Sequence, residues 1–303
     1  GVDVGGTGIK IGLVDDQGKT LRWRRIETQV EDGPDAAVSR IAEAISGAVT
    51  EVGLDTSQID AVGLATPGTM DIPAGKFLNP VNLPGWQNYP IRDRVAEATG
   101  KPVAFVNDAN AAAYGEFWVG SGAEYGSMVM LTLGTGVGGG IIIDDYNVEG
   151  EHSHGSELGH TIIDYNDDAR ICSCDQRGHL EAYASATAVE KRTQEALDNG
   201  AVSSLNNRLH DGEELTALLL HQEAEAGDEL SLQIILDTAM YLVIVITNFM
   251  HTIDPDAIIL GGRETKDALL MVYQFLRRIG TQVSPFALGG PVTIAKAAGG
   301  EAS

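Results

Sequence analysis

Basic residues are scarce in this chain. Its 303 residues hold 20 Lys and Arg against 43 Asp and Glu, a formal net charge of −23. Nucleic-acid binding needs clustered cations, so no nucleic-acid partner is expected. The same charge repels a nucleotide at long range. Any nucleotide must then be held by local N–H groups, a few cations and a metal ion. Cysteine is nearly absent: Cys172 and Cys174 are the only two. That excludes a disulfide framework and points to a reducing, cytoplasmic compartment. Aromatics make up only 6% against 43% hydrophobic residues, the balance of an α/β protein built from Gly, Ala, Val and Ile. No uninterrupted apolar run reaches the roughly 18 residues of a membrane span. The best candidate, Tyr241 to Met250, is short and contains Asn248. Neither a membrane span nor a signal peptide is expected. The initiator Met is also lacking. The sequence opens at Gly1 inside an apolar strand and stops at Ser303 after a glycine pair, so residues are expected beyond both ends.

What the chain has in quantity is glycine, and two glycine hairpins dominate the reading. The first is VDVGGTGIKIGLVDDQG from Val2 to Gly18, and the second is LTLGTGVGGGIIIDD from Leu131 to Asp145. A constant offset of 129 residues carries Gly5 onto Gly134, Val4 onto Leu133, Val14 onto Ile143, and Asp15 and Asp16 onto Asp144 and Asp145. Each reads as an apolar strand, a tight glycine turn with a threonine, a second apolar strand and an acidic turn. Glycine allows the sharp turn and brings backbone N–H groups close to a ligand. Two such turns could hold both ends of a triphosphate, and internal duplication explains the offset. Unrelated hairpins are the plainer alternative, which the shared register and paired threonines disfavour.

Between and after the hairpins, strands alternate with helices. A third strand is expected over Leu21 to Gln29 and a helix over Asp35 to Val52, with Ile41, Ile45 and Val49 on one face. Buried strands follow at Ala61 to Leu64 and Val103 to Val106, with helices at Ile91 to Thr99 and Ala109 to Trp118. Asp71 to Pro90, rich in Pro, Gly and Asn, reads as loop. The second half holds an irregular stretch from Asn147 to Arg177. Helices are then expected at Glu181 to Asp198, Leu230 to Ile253 and Thr265 to Ile279, with strands at Ala257 to Leu260 and Val292 to Ala295. This order predicts mainly parallel sheet, with ligands at the carboxyl ends of strands. Thr66 to Gly68, Asn107-Asp108 and Gly261-Gly262 sit at such ends.

Six segments then occur in a telling order: DVGGT, VNDANAAAYGE, LTLGTGVGGG, SELGH, CSCDQRGHLE and IDPDAIILGG. Over essentially its whole length the chain resembles the ROK family of sugar kinases, and is similar to its bacterial glucokinases. The resemblance implies the α/β actin-like ATPase (ribonuclease H-like) fold, two duplicated domains with an interdomain cleft. We expect residues 1–113, completed by 291–303, in the smaller domain and 114–290 in the larger. It also implies transfer of phosphate from ATP, with Mg²⁺, to the 6-hydroxyl of glucose. Kinases of N-acetylglucosamine, N-acetylmannosamine, mannose or fructose remain alternatives. So, more remotely, does a sugar-sensing repressor whose DNA-binding part precedes Gly1. An actin-like or chaperone-like ATPase would share the hairpins without needing SELGH or CSCDQRGHLE. Polyphosphate is a second conceivable donor. The expected assembly is a homodimer or larger homo-oligomer.

The residue assignments follow from that resemblance. Asp108 is expected as general base, accepting the proton of the attacking hydroxyl. By position alone it would more safely be a helix cap; the VNDANAAAYGE context reverses that preference. Gly5, Gly6 and Thr7 supply phosphate donors from one side, and Gly134, Thr135 and Gly136 from the other. Asp3 is expected to hold Mg²⁺, directly or through water. Lys10 either neutralises phosphate or is a solvated strand lysine. Gly261 and Gly262 match the family's adenosine-side turn, with Arg263 in place of a third glycine. Gly68, Asn82, Asn107, Asp108, Glu157, His160 and Glu181 match sugar-contacting positions, while His152 and His154 are expected to face solvent. Ser156 replaces a common glycine. His160, Cys172, Cys174 and His179 make a Cys₂His₂ set for structural Zn²⁺, with His179 where relatives usually carry cysteine. Two free cysteines and two ordinary loop histidines are the alternative.

Overall fold

The computed structural model describes residues 1–80 and 82–262, together with the backbone of 293–296. These form two compact units, Gly1–Val119 with Glu149–Gly155, and Gly120–Val148 with Ser156–Ser303.

In the first unit, β1 (Val2–Val4), β2 (Gly8–Val14) and β3 (Thr20–Glu27) form an antiparallel meander. β4 (Val62–Thr66) and β7 (Val103–Asn107) extend it in parallel, giving the order β3-β2-β1-β4-β7. α1 (Pro34–Glu51) opens with a proline, whose fixed φ and missing N–H suit a helix start. It buries Ala37, Val38, Ile41, Ala44, Ala48 and Val49 at helical spacing. α2 (Ile91–Thr99) stops at Gly100, which adopts the left-handed conformation that glycine tolerates. α3 (Asp108–Val119) follows β7 without a break. Val4, Ile9, Ile41 and Leu64 are fully buried in the core between sheet and helices. The stretch 71–90, expected as loop, instead begins with a hairpin, β5 (Thr69–Asp71) and β6 (Lys76–Asn79). Its Phe77 and the following Trp86 are buried in that same core, their rings edge to face at 6.0 Å.

The second unit repeats the plan. β8 (Ser127–Leu133) and β9 (Val137–Ile143) form the second hairpin, and the bounds of β2 and β9 keep the offset of 129 residues. β8, like β1, lies between its hairpin partner and a parallel strand, here β11 (Ala257–Gly262). A two-residue strand, β10 (Tyr146–Asn147), stands where β3 stood, and β12 (Thr293–Lys296) lies at the other edge, giving the order β10-β9-β8-β11-β12. Among the described residues its helices are α4 (Glu181–Ala184), α5 (Ala186–Asp198), α6 (Leu205–His210), α7 (Ala217–Glu225) and α8 (Glu229–Ile253).

Several expectations are corrected here. The single helix over 181–198 is broken at Ser185, whose extended backbone and side-chain cap on the Ala188 N–H restart the chain as α5. β12 (Thr293–Lys296) pairs in parallel with Ala257–Leu260 in the sheet of the second unit, and the rest of 291–303, expected to complete the first, lies outside the described residues. The boundary lies after Val119, because α3 is continuous across 113–114. Residues 149–155 join the first unit, where the Ile72 N–H donates to Ser153 Oγ at 3.0 Å. α8 has 25 residues and, by length and composition alone, is long and apolar enough to cross a membrane. Its Leu242, Val243, Val245 and Ile246 are nevertheless buried in the core with β8 and β11. The expected helix 265–279 and Arg263 lie outside the described residues.

Candidate active site and candidate metal centre

In the first unit, the candidate residues gather at the carboxyl ends of β1, β4 and β7. Gly5 N–H donates to Gly8 O at 3.0 Å and closes the turn. Thr28, fully buried, clamps it from β3's end: its Oγ1 donates to Gly5 O at 2.6 Å and its N–H to Thr7 O at 3.3 Å. Nothing in the local sequence ETQ marks that clamp. A side chain at Gly6 would place Cβ 2.6 Å from Asn82 O, so glycine is what lets Asn82 lie against the turn. Asp3 and Lys10 face each other across β1 and β2 and form an ion pair at 3.1 Å. Both are substantially exposed, a setting in which such a pair adds little stability. Gly68, at φ +85°, is the last residue of the turn between β4 and β5.

Asp108 occupies the first position of α3. Asn107 Oδ1 accepts the N–H groups of Ala109 at 2.9 Å and Asn110 at 3.3 Å, the task of a capping side chain. Asp108 Oδ1 shares the Ala109 N–H at 2.9 Å. Its carboxyl is reachable by solvent yet crowded by protein, and that loss of water raises its pKa. The negative charge of Asp3 raises it further, while the Ala109 N–H and Lys10 oppose the rise. Asp3, Lys10 and Asp108 therefore lie within electrostatic reach of one another.

In the second unit, Gly134 N–H donates to Gly136 O at 3.0 Å, closing a turn one residue tighter than the first, where Gly5 reaches Gly8. Ala186 N–H, at the start of α5, donates to Gly134 O at 2.9 Å. Glu181 Oε2 accepts the Val137 N–H at 3.0 Å. Gly261 and Gly262 end β11 beside Thr132 and Leu133. Gly262, at φ +118°, leaves no room for a side chain, since a Cβ there would sit 1.8 Å from Leu133 O. SELGH lies flat on β9: a Cβ on Gly159 would meet Val137 O at 2.0 Å, and one on Gly139 would meet Leu158 Cδ1 at 2.5 Å. That close approach fixes the short 3₁₀ turn Leu158–His160, with Glu157 and His160 exposed at its two ends.

The ligand atoms of His160, Cys172, Cys174 and His179 all lie within 4.8 Å of one another. A zinc tetrahedron with bonds of about 2.0–2.3 Å has edges of roughly 3.3–3.8 Å, so a small inward closure of these side chains suffices. The donor chemistry also fits. The His160 and His179 rings stack at 5.0 Å, and Cys174 Sγ is 3.2 Å from His179 Nδ1. Burial, helped by repulsion from His160, lowers the His179 pKa and favours the neutral, ligating imidazole. Burial pushes the Cys172 thiol up to about 11, with the Glu181 charge adding to it. A bound divalent ion would reverse that balance by stabilising thiolate. The loop is stitched by Leu180 N–H to Thr161 O and Ile163 N–H to Gly178 O, at 2.9 and 2.8 Å.

Gly178 has φ +77°, and a Cβ there would fall 1.7 Å from Asp164 O. Gly178→Ala is accordingly expected to destabilise the protein by about 2–4 kcal/mol, combining left-handed strain with a backbone clash. Thermal unfolding should show the loss. A melting temperature within a degree of the parent's would contradict it.

The chain matches the ROK family model over residues 1–299. It belongs to the ROK family. It is 34% identical over 289 residues to a glucokinase of Thermotoga maritima, covering 95% of this chain and 89% of that one. Among solved structures, a ROK hexokinase from Thermus thermophilus superposes with a TM-score of 0.82 at 30% identity, over 99% of this chain and 93% of the other. A ROK family glucokinase from Streptomyces griseus, solved with glucose and AMPPNP, gives a TM-score of 0.77 at 28% identity, over 99% and 95%. As in these ROK proteins, the fold is the actin-like ATPase fold.

Proposed function

We propose that this ROK protein transfers the γ-phosphoryl group of ATP to the 6-hydroxyl of glucose, with Asp108 as the general base. The chain is an ATP-dependent sugar kinase of the ROK type; glucose and Asp108 are the finer part of the reading. In the step, the O6–H proton passes to the Asp108 carboxylate, the O6–Pγ bond forms, and the bond from Pγ to the bridging oxygen breaks, releasing ADP. The observation that carries this is the division of labour at α3. Asn107 does the capping, and Asp108 stands beside Asp3 and Lys10 with its proton affinity raised. A base whose pKa is raised from an ordinary carboxylate's is a better proton acceptor.

Backbone N–H groups and the threonine hydroxyls at Gly5-Gly6-Thr7 and Gly134-Thr135-Gly136 bind phosphate oxygens, and Gly261-Gly262 leave space for the adenosine side. Asp3 would hold Mg²⁺, whose charge offsets that of the phosphates. Its hard oxygen donor suits that ion. Gly68, Asn82, Asn107, Glu157, His160 and Glu181 take the sugar hydroxyls. His160, Cys172, Cys174 and His179 would hold a structural Zn²⁺ that fixes the loop and takes no part in the chemistry. The glucose and AMPPNP in the S. griseus relative support the choice of sugar and donor.

The test is ADP release with ATP and Mg²⁺ across hexoses and N-acetylhexosamines. Glucose should give the highest kcat/KM. A preference for an N-acetylhexosamine would replace the glucose assignment, and no turnover with any sugar would overturn the kinase reading.

A further inference from the structure

Ser173 separates the two cysteines of the candidate metal loop and is not itself a candidate ligand. Its Oγ donates to Glu181 Oε1 at 2.5 Å. The other oxygen of the same carboxylate, Oε2, accepts the Val137 N–H at 3.0 Å. Val137 is the residue directly after Gly134-Thr135-Gly136, and that oxygen lies where a Cβ on Gly136 would fall, 2.5 Å away. A single carboxylate thus spans from the cysteine loop to the second glycine turn, and a hydroxyl from the loop fixes its far oxygen. The Cys172 thiol also reaches Oε1, at 3.5 Å, but sulfur is a weak donor, and one bound to a metal carries no proton.

We propose that Ser173 is a positioning residue that acts through Glu181 to hold the second glycine turn in its ligand-ready shape, so that the cysteine loop and the nucleotide-side turn are mechanically coupled. The coupling rests on the kinase reading only in that the turn serves phosphate. Loss of the hydroxyl frees Oε1, the carboxylate rotates, and the Val137 N–H loses its acceptor. A buried acceptor lost in this way exposes the amide to exchange.

The test uses Ser173→Ala and Ser173→Thr beside the parent protein. Three quantities are measured: zinc per chain, hydrogen exchange of the amides at 134–140, and KM for ATP and for glucose. In Ser173→Ala, zinc per chain should equal the parent's. Exchange at 134–140 should quicken about three- to tenfold, the net worth of one ordinary intramolecular hydrogen bond. KM for ATP should rise by a similar factor, and KM for glucose should rise with it because Glu181 is also a proposed sugar contact. Ser173→Thr, which keeps a hydroxyl, should restore both. Unchanged exchange at 134–140 with zinc retained overturns the proposal. So does loss of zinc in Ser173→Ala, since Ser173 would then serve only to build the loop. Exchange needs no turnover, so a parent protein that phosphorylates no sugar defeats the kinase reading and still allows the coupling to be read.

Discussion

Asp108→Asn is expected to bind glucose with little change and to lose turnover by roughly 10²–10⁴-fold, the usual worth of a positioned proton acceptor. The substitution is close to isosteric and keeps an oxygen for the Ala109 N–H at Oδ1, so α3 should keep its start. Isothermal titration with glucose and a coupled ADP assay separate the two effects. Near-parental turnover would remove Asp108 from the chemistry. The pH dependence follows from the direction of its pKa. Asp108 must be ionised to accept a proton, so the acid limb of kcat/KM should lie above the ordinary carboxylate range and activity should rise with pH through it. Stability should run the other way. A carboxylate whose pKa is raised by folding favours the native state while protonated, and that contribution fades as pH rises through the folded-state value. At neutral pH, Asp108→Asn should therefore melt no lower than the parent, and any advantage should vanish in acid. A mutant that is both inactive and much less stable would indicate a structural carboxylate instead.

The second large effect concerns the metal loop. Purified protein is expected to carry about one zinc per chain, and Cys172→Ser with Cys174→Ser to carry almost none. Melting should drop by roughly 10 °C, taking about 4 kcal/mol for the site and ~2–4 °C per kcal/mol in a chain of this size. The stretch from Thr161 to Leu180 has no helix or strand of its own, and Cys172 and His179 are both buried there. Without an ion, and among the described residues, the Cys172 side chain keeps only weak thiol contacts to Ser173 and Glu181, and the His179 ring nitrogens only their contact to Cys174. KM for glucose should rise as well, because His160 belongs to both the metal set and the proposed sugar contacts. Elemental analysis, differential scanning calorimetry and steady-state kinetics check the three parts. Metal-free protein with full activity and unchanged melting would refute all of them.

How much of this was legible in the sequence varied with the length and repetition of the signal. The hairpins read cleanly, since seven-residue strands flanking glycine turns and a repeated register leave few alternatives for β2 and β9. The Cys-x-Cys spacing with His179 close behind was equally plain, and folding brings distant His160 to it. The β5–β6 hairpin was hidden because its strands have three and four residues in a Pro- and Gly-rich stretch, too few to show a period. It forms because Phe77 and Trp86 find a core that only the tertiary fold supplies. Ser185 was misread for the opposite reason: helical pattern continues on both sides, and only the cap on Ala188 shows the break. Thr28 and Ser173 carried no local signature, since what they do depends on partners supplied by other segments.

The two copies of the glycine turn are secured by unlike means. One is pinned by the Thr28 hydroxyl, from the neighbouring strand of the same sheet, and the other by a carboxylate leashed to a cysteine loop. Their vulnerabilities differ accordingly. On the proposed coupling, metal starvation or thiol-oxidising stress would slacken the second turn and leave its counterpart in the first unit untouched.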